Sequence, residues 1–212
     1  MEKIKSGTVY LVVDKASKDR TLELCNKLSA QDKRFINVWA PENKNVVDAY
    51  LRGYKEALKN NHDYFIEMDA GLSHNPAQLP DFLSQFKTHE CVLGTRFQNK
   101  GSMSSSFSRR LLSNGGTFIS NMLLGTHFSD MTSGYQGFSK QVVKAFVEYP
   151  FRSKAHFYQT ELRYLIRRKN YIEIPISYQT PSPGVSKSAI INSFTTLLYY
   201  FIRRITFRPV AL

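Results

Sequence analysis

The sequence predicts an α/β domain: an open, mostly parallel central sheet flanked by helices. Three observations predict it. Short continuous apolar runs recur: VYLVV at Val9–Val13, FINVW at Phe35–Trp39, YFIEM at 64–68 and CVLGT at Cys91–Thr95. Such runs read as strands covered on both faces. Segments with helical spacing lie between them, which is the alternation of an α/β sheet. Charged residues close three of the runs, Asp14, Asp69 and Arg96, and in open sheets ligands gather beyond the carboxyl ends of strands.

Each element follows in turn. After the first strand, Ser17 is placed to cap a helix whose apolar positions are Leu22, Leu24, Cys25 and Leu28. After the second, 46–59 is helical, with Val47, Tyr50, Leu51, Tyr54 and Leu58 on one side. The third strand, 64–68, stops on Asp69; a helix over 76–86 leads to the fourth. Beyond residue 98 the character changes. Residues 98–106 are rich in Gly and Ser and read as a mobile loop. A helix over 108–125 has two arginines in its first turn, and 130–138 (DMTSGYQGF) reads as a turn-rich loop. Helices over 140–149 and 156–169 precede a β-branched strand, 171–178. A Pro/Ser/Gly loop, 179–187, precedes a last apolar helix over 189–207, trailing Arg203, Arg204 and Arg208. There is no internal repeat, so one domain over 1–187 suffices, followed by an amphipathic helical segment, 188–212.

The 212 residues are enough for one domain with a real core. With 42% hydrophobic and 13% aromatic residues the chain is not of the disordered class. A net charge of +12 favours an anionic partner: nucleic acid, an anionic membrane or a phosphorylated substrate. No helix-turn-helix, RNP or zinc pattern accompanies that charge, so no specific nucleic-acid partner is expected. Cys25 and Cys91 lack metal-type spacing and read as reduced core residues. The opening MEKIKSGTVYLVV lacks a signal-peptide pattern, and no run of about 18 uncharged apolar residues occurs. The expected setting is cytoplasmic.

Four features can carry chemistry. Asp69, beside the small Ala70 and Gly71, can hold a divalent cation that bridges a diphosphate, or can simply be a strand exit. Asp14 can accept hydrogen bonds from a nucleotide, although a plain helix start explains it equally. Arg96, Arg109, Arg110 and Lys187 offer phosphate-binding groups or a solvated basic face. The last helix has a broad apolar face that fits a membrane interface or a packed core. No Ser-His-Asp or Cys-His arrangement appears, and His74 reads as a loop residue.

Taken in order, these pieces resemble the dolichol-phosphate mannose synthase family, the family 2 inverting glycosyltransferases that act on polyprenyl phosphates. The similarity runs from about Thr8 to Arg204. VVDKASKDRT resembles VVDDGSTDGT; ENKNVVDAYLRG resembles N-x-G-x-x-x-A-x-x-x-G through Asn43, Ala49 and Gly53. MDAGLSHNP resembles MDADLSHPP, GTRF resembles GSRY, and SRRLLSNGG resembles R-x-x-x-S-R-G through Arg109 and Ser113. SDMTSGYQGF resembles SDLTSGFRAY, FYQTE matches F-Q-x-E through Gln159 and Glu161, and GVSK matches G-x-S-K. The resemblance implies a Rossmann-like nucleotide-diphospho-sugar transferase fold. It implies transfer of mannose or glucose from GDP-mannose or UDP-glucose to a polyprenyl or dolichyl phosphate, at the cytoplasmic face of a membrane. Asp69 would hold Mg²⁺ or Mn²⁺ and, with Arg96, form the catalytic centre. Asp14, Asn43, Arg109, Ser113, Gln159, Glu161 and Lys187 would bind substrates.

Four departures stand out. The family's opening strand and P-x-Y-N-E turn have no counterpart here. Gly71 stands where the family has a second acid, and Lys15 where VVDD has its second Asp. Gln136 and Thr180 replace two family arginines. A weaker metal site is therefore expected. So is an open apolar edge on the first strand, which favours homo-oligomerisation through it. The alternative expectation is a catalytically impaired, truncated relative that binds a membrane or partner.

Overall fold

The computed structural model describes residues 6–98, 100–179 and 186–212. Strand β1 (Val9–Val13) pairs in parallel with β2 (Phe35–Trp39), and α1 (Thr21–Gln31) connects them. Helix α2 (Val46–Leu58), capped by the Asn45 side chain, leads to β3 (Tyr64–Glu67). A four-stranded sheet has the order β3-β6-β4-β7, with β4 (Cys91–Thr95), β6 (Gln136–Ser139) and β7 (Tyr171–Pro175). Strand β5 (Ser102–Met103) pairs in parallel with β8 (Ser177–Tyr178). The other helices are a 3-10 turn over Pro76–Gln78, α3 (Leu79–Gln85), α4 (Phe107–Leu124), α5 (Lys140–Val147), α6 (Tyr158–Leu165) and α7 (Lys187–Ile205).

The α/β class is as predicted, and β1 with β2 and β4 with β7 are parallel pairs. The larger sheet is mixed, because β6 runs antiparallel to both β3 and β4. That strand lies partly in 130–138, which the sequence presents as a loop. The turn signals end at Tyr135, and Gly137 then lets β3 and the Phe86 ring approach closely. A Cβ at Gly137 would come within 2.8 Å of the Phe86 ring.

Other boundaries shift for local reasons. Ser17 caps nothing: α1 begins at Thr21, whose N–H is taken by the Asp19 carboxylate at 3.0 Å. The loop over 98–106 contains β5, with Met103 buried, and its Ser106 side chain caps α4. Helix α7 starts at Lys187 rather than Ala189, because the Ser186 Oγ accepts the Ala189 N–H. Thr180 and Gly184 lie outside the described residues.

The main sheet is covered on both sides. On one, Tyr54 from α2 meets Phe65, Phe138 and Phe146, with Phe146 edge-on at 4.9 Å. Phe146 is fully buried, so its truncation to Ala would cost about 3–5 kcal/mol. Tyr200 of α7 enters the same core. On the other side Phe82 and Phe86 pack with Val92, Tyr135 and Ile174. These two layers hold the ends of β3 and β4 in fixed relation.

Candidate active site

Residues Phe65, Glu67 and Asp69 face α2, as the period of two requires. Tyr50 and Tyr54, one helical turn apart on α2, each meet a carboxyl group. Tyr54 OH donates to Glu67 Oε2 at 2.9 Å and Tyr50 OH to Asp69 Oδ1 at 3.1 Å. Ser73 Oγ donates to Asp69 Oδ2 at 3.2 Å, and the Asp69 N–H donates to His74 Nδ1 at 3.0 Å. The Asp69 side chain still keeps 36% of its surface open.

His74 is therefore more than a loop residue. It is buried and stacked on Tyr135 at 4.8 Å. Burial lowers its pKa, against the opposing pull of Asp69. It is thus held as a neutral imidazole, accepting at Nδ1 and fixing the backbone of Asp69. Between them, Leu72 adopts a left-handed φ of 62° with its side chain in solvent, an uncommon state for a non-glycine residue. A Cβ at Gly71 would meet nothing within 4 Å.

Glu67 forms the floor below. Burial pushes its carboxyl up to about 8, although Gln136 and Tyr54 donate to it. Gln136 Nε2 also donates to Gln159 Oε1, which links Gln159 to the same floor. Gln159 Nε2 lies against Gly134, where a Cβ would be 2.9 Å away. Gln136 Oε1 is buried with no partner among the described residues.

Arg96 has a different environment. Its Nε and Nη2 donate to the Asp130 carboxylate at 2.7 and 2.8 Å, and Nη2 also reaches Thr132 Oγ1. Both partners of that pair are buried. Burial alone would raise the Asp130 carboxyl, but the hydrogen bonds and charge of Arg96 hold it below the usual range. Arg163, fully buried, donates to the Gly94 and Ser133 carbonyls and sits 3.7 Å from Glu173.

The remaining expected residues divide. Asp14 ends β1, with its Oδ1 accepting the Ala16 N–H at 2.8 Å. Asn43 follows β2 with a buried Nδ2 that has no partner among the described residues. Arg109 and Ser113 stand half-buried on the first half of α4, and Lys187 is exposed in the first turn of α7. Glu161, expected to bind substrate, has its partners within the protein. It is fully buried and accepts from the Arg152 and Ser153 N–H groups and from Tyr200 OH at 2.7–2.9 Å. Its carboxylate ties the 150–155 loop to α7. Tyr50 was read from sequence only as a helix-face position and His74 only as a loop residue, and Glu67, Asp130 and Arg163 were not singled out. His74 and Asp130 lie inside the quoted motifs, which was the available signal; the others needed the fold.

Among the described residues no group of three or more His, Cys, Asp or Glu is arranged to hold a metal ion. The half-open Asp69 and the empty space at Gly71 fit a cation that shares its coordination with a diphosphate, and do not fit an all-protein cage.

An α/β sheet with charged groups at its strand ends, supported in this way, has counterparts among solved structures. A structure of glucosyl-3-phosphoglycerate synthase from Mycobacterium tuberculosis with uridine-diphosphate superposes with a TM-score of 0.62 at 13% identity, over 90% of this chain and 67% of that one. Another, with Mn²⁺, uridine-diphosphate and glucosyl-3-phosphoglycerate, gives 0.56 at 11%, over 96% and 80%. The chain belongs to glycosyl transferase family 2, whose family model matches residues 8–147. It is 30% identical over 180 residues to an undecaprenyl-phosphate mannosyltransferase of Micrococcus luteus, covering 84% of this chain and 74% of that protein. It is 30% identical over 187 residues to a polyprenol monophosphomannose synthase of Mycolicibacterium smegmatis, covering 86% and 71%.

Proposed function

We propose that this glycosyltransferase moves a hexose, mannose or glucose, from GDP-mannose or UDP-glucose to a polyprenyl or dolichyl phosphate, with inversion at the anomeric carbon. The observation that carries the reading is the braced, half-open Asp69 at the end of β3. The two relatives named for undecaprenyl and polyprenol phosphates support the acceptor class.

The acceptor is an anion at neutral pH, so it attacks without a strong base. One of its oxygens bonds to the anomeric carbon as the carbon–oxygen bond to the diphosphate breaks, and the nucleoside diphosphate leaves. The work falls to positioning and charge. Asp14 and Asn43 hold the nucleotide end; Arg109, Ser113 and Lys187 gather phosphate oxygens; Gln159 borders the sugar. Arg96 keeps the 130–132 turn in place beside them. Mg²⁺ or Mn²⁺ at Asp69 would neutralise charge on the leaving diphosphate. The chain acts peripherally at a cytoplasmic membrane face; among the described residues no helix is long and apolar enough to cross one.

A second reading, a relative without turnover, is favoured by one observation: Gly71 supplies no second acid. Transfer of labelled sugar from either donor to polyprenyl phosphate separates the two. Donor binding without any transfer, in Mn²⁺ or Mg²⁺, would favour the second.

A further inference from the structure

Gln136 lies directly opposite Glu67 in the β3–β6 pairing, so both side chains leave the sheet on the same face. Both are buried. The Gln136 Nε2 donates twice, to Glu67 Oε1 at 2.5 Å and to Gln159 Oε1 at 2.6 Å. Its Oε1 is buried and accepts nothing among the described residues. The position therefore works as a two-way donor and not as an acceptor. Glu67 is fixed in turn, because Tyr54 OH and Tyr158 OH donate to its Oε2 at 2.9 and 3.5 Å. With its carboxyl group held on both oxygens, Glu67 anchors the Gln136 amide in one orientation.

The consequence falls on Gln159, near the start of α6. An amide has one accepting oxygen and one donating nitrogen. With the oxygen taken by Gln136, the nitrogen turns the other way. It crowds Gly134, at a point where a Cβ would also lie 3.8 Å from His74 Cε1, and that His74 ring fixes the backbone of Asp69. The neighbouring Tyr158 ring stacks at 5.3 Å on Tyr50, whose hydroxyl holds the Asp69 carboxylate. Gln159 is thus tied to the Asp69 end of β3 from two sides, and it keeps 7% of its surface open. One of its two N–H groups acts on Glu67, which leaves the second for a ligand. We infer that Gln136 is a positioning residue: it holds the Gln159 oxygen inward so that the Gln159 nitrogen donates to a hydroxyl of the bound sugar. A neutral N–H beside a carboxylate suits a neutral hydroxyl. The inference rests on the proposed reading, which makes that hydroxyl part of the transferred hexose.

The test is titration calorimetry of the full chain in Mn²⁺, comparing GDP-mannose with GDP and UDP-glucose with UDP. Gln136→Met keeps the shape and removes the donor; Gln159→Met removes the amide itself. Each variant is expected to weaken nucleotide-sugar binding about tenfold and to leave nucleoside-diphosphate binding within about twofold of the parent. The double variant should also lose about tenfold and not a hundredfold, because the two amides act as one unit. Equal weakening of both ligands, or losses that multiply in the double variant, would overturn the positioning role. If Gln136→Met loses the cooperative urea transition, the Gln159 side-chain amide in the ¹⁵N-labelled parent decides. It should shift with nucleotide sugar and not with nucleoside diphosphate; the same response to both would overturn the role. Selective loss of nucleotide-sugar affinity in variants of a parent that transfers no sugar would support the positioning role while overturning the transferase reading. A parent that transfers sugar, with variants that bind nucleotide sugar as tightly as it does, would overturn the positioning role alone. A parent that binds neither kind of ligand would overturn both.

Discussion

Asp69 and Arg96 both close a strand with a charge, yet the fold treats them oppositely. Asp69 is held by three polar contacts and remains half-open. Arg96 is buried and committed to Asp130. A charge braced but not saturated has room for a ligand, while a charge saturated in the interior has its partners within the protein. A strand-end position alone therefore does not say whether a charge is left open or is paired within the protein. The surrounding donors do.

The largest expected effect breaks the closed end. Asp130→Ala leaves the Arg96 guanidinium buried without its carboxylate and should cost about 3–5 kcal/mol in urea unfolding. Because the Asp130 carboxyl is held low, its contribution is present above the unfolded carboxyl value and is lost as pH falls through the folded one. A loss under about 1 kcal/mol would show that the pair is not structural.

Next comes the floor beneath the open end. Glu67 is raised to about 8 by burial, so its contribution is full below the unfolded carboxyl value and is lost as pH rises toward 8. Glu67→Gln should match the parent near pH 5 and exceed it by on the order of 2 kcal/mol near pH 7.5. Parallel pH profiles for the two proteins would refute a protonated Glu67. A smaller change is expected for Tyr200→Phe, which removes one donor to Glu161 and should cost about 1–2 kcal/mol in thermal unfolding. Smallest in stability is Gly71→Asp, within about 0.5 kcal/mol, because the side chain enters open space. Its effect belongs to the ligand: Mn²⁺ binding by calorimetry in the presence of nucleoside diphosphate should tighten about tenfold.

Much of this was legible in the sequence. The runs VYLVV, FINVW and CVLGT became strands with the expected bounds, although only CVLGT is buried along its whole length and FINVW leaves Ile36 and Trp39 exposed. Asp69 was visible as the acid that ends such a run. The antiparallel β6 was not, because QGFS has a loop-like composition and pairs only through distant partners on β3 and β4. Glu161 drew its expected role from the F-Q-x-E resemblance alone; its three donors, from the 150–155 loop and α7, needed the fold. The exposure of Phe107, Leu111 and Phe118 on α4 was hidden for a related reason: periodicity gives a helix an apolar face but does not say whether that face turns inward.

The most direct measurement is transfer of labelled sugar from GDP-mannose and from UDP-glucose to polyprenyl phosphate, with Mn²⁺ or Mg²⁺, by the parent and by Asp69→Ala. The account predicts transfer from one donor and a fall of at least about a hundredfold in the variant, with urea stability within about 1 kcal/mol of the parent. Equal rates in the two proteins would contradict it.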